Sequence, residues 1–544
     1  MTSASTFRKR SLAVLGGVAV ATLALSGCSA GGNSGNGSTS SGSLVVGTTD
    51  KVTTLDPAGS YDNGSFFIMN NVFPFLMNSK PGGAEVEPDI ATSAKYTSPN
   101  EYTVKLKKGL TFANGHKLTS SDVKFSFDRQ LKIAADNGPS SLLGNLDSTE
   151  APDDTTVVFH LKNANDQIWP QILSSPAGPI VDEQSFSADS VTSDADIVKD
   201  KAFAGPYTIS SYKFNELVQF KAFDGYKGVL GTPKTGTINL KYFQDQSNMK
   251  LEVQQGGIDV ATRSLSATDI ESLSKNNKVK VHTGPGGEIR YIVFNLNTMP
   301  YGATTADADP AKALAVRKAM ADLIDRDAIA KQVYKDTYLP LYSYVPQGLP
   351  GATEPLKSMY GDGNGAPDVD KATAALKAAG VATPVALNLQ YNPDHYGASS
   401  GDEYAQIKSQ LEKSKLFTVN LQSTEWVQYS KDRSADVYPL YQLGWFPDYS
   451  DADNYLSPFF LKDNFLKNHY DNPAVEKLIK QEAVETDKSK RMDELKQIQE
   501  LVAKDLSTLP MLQGAQVSVS GKDVKGVDST LDASFKFRFG VLSK

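Results

Sequence analysis

Residues 114–126 read Asn114-Gly115-His116-Lys117-Leu118-Thr119-Ser120-Ser121-Asp122-Val123-Lys124-Phe125-Ser126. Asn114-Gly115 suits a hairpin-type turn, because both residues tolerate the left-handed backbone such turns demand. Thr119, with Asp122 three residues on, has the form of a capping box and opens a helix through Val123 and Phe127. Just upstream, Tyr102-Thr103-Val104-Lys105-Leu106 alternates with period two, as a half-buried strand does. Lys107-Lys108-Gly109 turns the chain between them. Strand, turn and helix packed this closely set a mixed architecture.

The same mixture continues outward. Leu44–Thr48 is a short β-branched run, and Thr54-Leu55-Asp56-Pro57 turns the chain before an apolar segment, Ser65–Leu76. Strands are expected at Thr155–Leu161, Tyr207–Tyr212, Val218–Ala222, Arg290–Asn295 and Val385–Tyr391, with Val517–Val519 and Phe535–Phe539 closing the chain. Helices are expected at Ala311–Ile324, at Tyr404–Lys413 and from Pro473, where Asn472 is the N-cap. After that start, Met492, Leu495, Ile498, Leu501 and Val502 keep helical spacing. Gly284-Pro285-Gly286-Gly287 reads as a turn and not as a dinucleotide fingerprint. The class is α/β or α+β.

The N-terminus carries a different message. Arg8, Lys9 and Arg10 precede a mostly apolar run, Leu12 to Leu25, too short to span a bilayer and suited to a signal peptide. Leu25-Ser26-Gly27-Cys28 looks like a lipobox, with cleavage before Cys28 and a diacylglycerol on its thiol. Cys28 is the only cysteine, so no intramolecular disulfide is available. Residues 29–43 are Ser, Gly, Asn, Thr and one Ala, a flexible tether of about 20 Å r.m.s. reach. Cutting after residue 27 leaves 517 residues and takes the formal charge from −7 to −10. An acidic surface with no basic run argues against nucleic acid and against electrostatic docking to a membrane. The expected address is the outer face of a cell membrane, held there by lipid.

Enzyme motifs fail on spacing. His116, His160, His282, His395 and His469 are scattered and read as surface or turn residues. Gly397-Ala398-Ser399-Ser400-Gly401 has the G-x-S-x-G form but is separated from its strand by Asn392–Tyr396. Ser121-x-x-Lys124 and Lys234-Thr235-Gly236 suggest a serine acyl-transferase, yet no S-x-N lies between them and S-x-x-K recurs elsewhere. No cofactor and no metal is expected.

Several segments, in order, resemble the family-5 extracellular solute-binding proteins, the peptide- and nickel-type receptors of bacterial ABC importers. They are Val86–Ser93, Tyr102–Phe112, the opening stretch, Gly205-Pro206-Tyr207, Gly257-Ile258-Asp259-Val260, Phe294-Asn295, Val316-Arg317-Lys318-Ala319 and Ile324-Asp325-Arg326. The resemblance implies two α/β lobes that close like a clamshell of the type II periplasmic-binding-protein kind, with a subdomain inserted in the first lobe. By analogy, lobe I takes residues 44–75, 190–288 and 510–544, the inserted subdomain 76–189, and lobe II 290–509. It also implies a monomeric receptor delivering ligand to ABC permease subunits, with Asn114-Gly115, Asp122 and Asp325-Arg326 as scaffold.

One further segment matches, Gly444-Trp445-Phe446-Pro447-Asp448-Tyr449-Ser450-Asp451-Ala452-Asp453-Asn454-Tyr455-Leu456. A calcium loop starting at Asp451 would need Gly at its sixth position and an acid at its twelfth, where Leu456 and Lys462 stand. In oligopeptide receptors of this family, a Gly-Trp-x-x-Asp-Tyr segment lines the cleft and its aspartate pairs with the peptide ammonium. Carried over, that residue is Asp448, with Gly444, Trp445 and Phe446 giving backbone bonds and an aromatic wall. Tyr61 and Asn63 are further candidates facing the cleft. Asp451, Asp453 and Asn454 are expected to cap the following turn. Pro447 departs from a free backbone donor at that point. The expected ligand is an oligopeptide or dipeptide; the same architecture would also serve an oligosaccharide, a nickel chelate or haem.

Overall fold

The computed structural model describes residues 42–544 except 264, 394, 397, 398, 463 and 535, and of 427 the backbone only. The signal segment, Cys28 and the tether to residue 41 therefore lie outside the described residues. So do Gly397 and Ala398 of the G-x-S-x-G stretch, and Phe535.

The opening stretch folds as its local chemistry dictates. Thr119 caps the helix Ser120–Ile133, and the Asp122 carboxylate reaches back to the Thr119 N–H at 2.8 Å. Gly115 takes φ +92° in the turn closed by the bridge Thr111↔Lys117. Buried Arg129, on the same helix, makes two 2.8 Å bonds to the carboxylate of Asp56. Asp56 also accepts from the N–H groups of Ala58 and Thr192. This fixes the loop that leads to Tyr61.

One sheet of eleven strands runs through the molecule. Its order is Phe417–Ser423, Val385–Tyr391, Leu440–Trp445, Val279–Phe294, Thr508–Gly521, Val260–Thr262, Ser43–Thr48, Thr237–Tyr242, Leu217–Ala222 and Tyr207–Lys213, with Tyr338–Pro340 paired to Thr508–Gly521 off this path. A separate antiparallel sheet, Ala91–Ser98, Glu101–Leu106, Thr156–Leu161 and Leu146–Asp153, packs under the helix Ser120–Ile133.

The apolar residues gather into distinct cores. One joins Leu44, Val46, Ile68 and Val72 to Ile238 and Leu240, and is finished by Val527, Phe537, Phe539 and Leu542. A second, around Val104, Phe127, Phe159 and Trp169, belongs to the small sheet. Two more flank the far half of the large sheet, one around Val316, Met320 and Ile407 and one around Tyr291, Tyr441 and Phe459. The paired strands Val279–Phe294 and Thr508–Gly521 pass from one half to the other. The protein is thus a mixed α/β, two-lobed clamshell.

Three expectations need correction. Gly284-Pro285-Gly286-Gly287 is no turn: it lies inside the strand Val279–Phe294, at a register shift between Pro285 and Ile289. A Cβ on Gly286 would stand 2.2 Å from the Gly514 carbonyl oxygen, so glycine there permits close strand approach. Residues 536–538 form no closing strand, and Phe539–Val541 is a short 3-10 turn; their aromatics fill the first core instead. His282 is neither surface nor turn but buried in a strand, between Asp528 (2.6 Å) and Ser520 (2.9 Å).

Candidate functional site

The strand Leu440–Trp445 carries the candidate segment to the edge of a cleft. Gly444 pairs opposite Arg290 and Trp445 opposite Ile289, so both backbones serve the sheet. A Cβ on Gly444 would lie 2.7 Å from the Tyr396 ring, and the Gly444 carbonyl accepts from the Tyr291 hydroxyl at 3.3 Å. Trp445 packs edge-on to Phe459 at 5.1 Å and lies 5.7 Å from Phe465. Neither Gly444 nor Trp445 lines the two cavities on either side of Phe446; they support the wall from behind.

Asn454 organises the loop beyond this strand. It is 1% exposed. Its side-chain oxygen accepts from the Trp445 indole N–H at 3.1 Å and from the Asp448 backbone N–H at 2.9 Å. Its amide donates to Asp448 Oδ2 at 3.2 Å. The expectation of a capping role for Asn454 is thus replaced by one of bracing Trp445 and Asp448. Asp451 does cap the short helix Ala452–Tyr455, and Arg491 grips both its oxygens at 2.8 and 2.9 Å. Asp453 accepts from the hydroxyls of Ser457 and Tyr449. Behind it, burial and the neighbouring Asp453 carboxylate push Glu482 above the ordinary carboxyl range, while Arg491 donates to it at 2.9 Å. These acids form a structural anchor around Arg491.

Asp448 itself faces a cavity of about 270 Å³. From the opposite wall, the Tyr61 hydroxyl donates to Asp448 Oδ1. Asn63 and Phe66, at the start of the helix Asn63–Val72, line the same wall. Asp62 caps that helix by accepting from the Ser65 N–H at 2.8 Å. Burial raises the Asp448 carboxyl above its ordinary range, while the bonds from Tyr61 and Asn454 pull it back. Burial and the Asp448 charge together hold the Tyr61 phenol far above its ordinary value, so it stays a donor.

The structure brings Tyr61, Asn63, Phe446 and Asp448 to one cavity across nearly four hundred residues of chain. It adds Gln171, Ser174 and Lys536, which no local motif marked out. Phe446 also borders a second cavity of about 410 Å³, lined by Glu288, Arg290, Tyr338 and His395 among others. Arg290 is held there by the hydroxyls of Tyr334 (2.6 Å) and Tyr338 (2.9 Å) and the Tyr396 carbonyl (2.6 Å). Phe446 thus borders both cavities.

The residues of the acyl-transferase pattern serve other ends. Ser121 donates to Glu183 at 2.8 Å, Lys124 pairs with Asp128, and the Thr235 hydroxyl donates to the Leu542 carbonyl at 2.8 Å. Ser520, His282 and Asp528 have the distances of a catalytic series, but Ser520 is 0% exposed and borders neither cavity. Among the described residues, no cluster of three His, Cys, Asp or Glu side chains is placed to hold a metal ion. Likewise, no helix there is long and apolar enough to cross a membrane.

Comparison with known proteins gives the geometry its context. The profile of the bacterial extracellular solute-binding proteins, family 5 Middle, matches residues 85–467. The probable D,D-dipeptide-binding periplasmic protein DdpA of Escherichia coli is 24% identical, over 89% of this chain and 90% of its own. The oligopeptide-binding protein OppA of Bacillus subtilis is 23% identical, over 93% and 94%. The fold matches the unliganded open form of the periplasmic murein tripeptide-binding protein MppA, with a TM-score of 0.78, 19% identity and coverage of 92% and 96%. It also matches DppA of Helicobacter pylori in complex with the peptide STSA, with a TM-score of 0.67, 20% identity and coverage of 92% and 98%. With a profile match over most of its length, the chain belongs to the bacterial extracellular solute-binding proteins of family 5.

Proposed function

We propose that this protein captures short peptides outside the cell and delivers them to the permease of an ABC importer, tethered to the membrane by lipid on Cys28. The observation that carries the reading is Asp448: a carboxylate in the cavity wall, braced by Asn454 and met from the opposite wall by Tyr61. A carboxylate offers about four lone-pair sites, and the two protein donors occupy two of them. The other two can take the ammonium of a peptide. At about 4 Å and an effective dielectric constant near 20, such a pair gains roughly 4 kcal/mol before desolvation is counted.

The relatives named for dipeptides and oligopeptides favour the same ligand class. No bond has to be made or broken. Ligand that bridges the two walls binds better to the closed arrangement and shifts the population towards it. The strands Val279–Phe294 and Thr508–Gly521, shared by both halves, are the natural hinge. Mass spectrometry of the ligand that co-purifies with the native protein tests this directly. Calorimetry against peptides, oligosaccharides, a nickel chelate and haem gives the comparison. Heat from a sugar, chelate or haem with none from peptides overturns the peptide reading.

A further inference from the structure

The cavity that holds Asp448 also contains a buried amine, which burial and the neighbouring Arg538 guanidinium push well below its ordinary range. Lys536 is 6% exposed and lines the same space. Its nitrogen donates to Ser174 Oγ at 2.6 Å and lies 5.9 Å from the centre of the Phe75 ring. An ammonium has three donors, and among the described residues Ser174 is the one hydrogen-bond partner found.

The nearby acids are engaged elsewhere. Asp532 accepts from the N–H groups of Gly82 (3.0 Å) and Ser534 (2.8 Å) and from the Ser534 hydroxyl. Asp89 accepts from Tyr226, Val229 and Phe75. Arg538, also buried, is held by Asn70 and Asn78 at 2.7 Å each and adds more positive charge beside Lys536. Among the described residues, no carboxylate comes within 4.0 Å of the Lys536 nitrogen. The charged form of a lysine buried without a carboxylate partner is costly, and an anion entering the cavity would favour that form and draw a proton onto the amine.

We propose that Lys536 and Ser174 seat the carboxylate of a short peptide whose ammonium is held at Asp448. This rests on the peptide reading above and narrows it. Both ends of the ligand then share one cavity of about 270 Å³, room for roughly nine waters, a size that suits a di- or tripeptide. Phe446 lines that cavity and the second one alike.

The test uses the full-length protein purified in detergent and three dipeptide pools: free, N-acetylated and C-terminally amidated. Captured peptide is counted by mass spectrometry. Wild-type protein should retain the free pool and hold each blocked pool at least about ten-fold less, the factor expected for losing one charge-assisted bond. Lys536→Met should retain free and amidated pools equally and still reject the acetylated one. Lys536→Arg, which keeps the charge, should restore some preference for the free acid.

If wild-type protein takes the amidated pool as well as the free one while rejecting the acetylated pool, the Lys536 seat is wrong and the role of Asp448 stands. If it takes all three pools equally, the Asp448 role fails too, and capture from none of the pools overturns both. The wild-type comparison needs no variant, so misfolding of Lys536→Met leaves the conclusion intact.

Discussion

Replacing Asp448 by asparagine removes one charge and almost nothing else. The new amide can still accept from Asn454 through its oxygen and donate to the Tyr61 oxygen through its nitrogen, so the local bonds survive in altered polarity. What is lost is the attraction for a ligand ammonium. The gross Coulomb gain of roughly 4 kcal/mol at about 4 Å is reduced by desolvation, leaving about 1.5–3 kcal/mol for a charge-assisted hydrogen bond. That corresponds to roughly 10- to 150-fold in Kd.

Stability should move the other way. The Asp448 carboxyl is raised in the folded protein, chiefly by burial. A raised pKa contributes stability below the unfolded value near 3.9, and that stability is lost as pH rises through the folded value. At pH 7 the ionised side chain therefore costs stability, and Asp448→Asn should unfold at the same temperature or higher. Peptide affinity of the wild type should weaken as pH falls through the raised value, and that of the variant should not follow. Isothermal calorimetry from pH 4 to 8, with thermal unfolding beside it, reads both quantities. An unchanged Kd, or affinity and stability falling together, refutes the amine clamp.

Further outcomes are expected. Asn454→Ala leaves the Trp445 and Asp448 N–H groups without their acceptor and should cost about 1–3 kcal/mol in urea unfolding, together with several-fold weaker peptide binding. Glu482→Gln removes a charge that burial and Asp453 disfavour and should change stability by less than about 1 kcal/mol, whereas Arg491→Met strands Asp451 and should cost about 3–5 kcal/mol. Gly64→Ala would set a Cβ 1.8 Å from the Lys51 carbonyl oxygen and should lower the melting temperature sharply or prevent folding. Cys28→Ser should release the protein from membranes and abolish its labelling by a radioactive fatty acid; continued membrane retention counts against the lipid anchor.

Much of the fold is legible where the signals are local. The capping box at Thr119 and Asp122, Asn472 before Pro473, and the alternation of Tyr102–Leu106 each act within a few residues, and each forms the element its chemistry favours. Long-range pairing is not legible. Gly284-Pro285-Gly286-Gly287 has turn composition, but its partner strand two hundred residues later draws it into a sheet with a bulge. His282 shares a face with Lys280 in the alternation Val279-Lys280-Val281-His282, as a surface group would, yet Ser520 and Asp528 come from the far end of the chain to enclose it. In the site, Asp448, Phe446, Tyr61 and Asn63 stand out as candidates and share one cavity. Trp445 has the look of a wall residue and serves as backing, because strand pairing fixes which way residue 445 faces. Lys536 and Ser174 carry no functional signal, since the alternation Phe535-Lys536-Phe537-Arg538-Phe539 reads as a strand with Lys536 on its polar face.

The first core has a consequence for how the chain is made. Its residues run from Leu44 to Leu542, so the opening strand must wait for the last turns of the chain before its hydrophobic surface is fully covered. A ribosome releasing this chain vectorially holds no finished version of that lobe until those turns emerge. The second core, whose residues run from Leu76 to Ala204, has no such wait and can close while the first lobe is still open. Loss of the final two dozen residues would accordingly expose the earliest-made strand rather than merely shorten the tail.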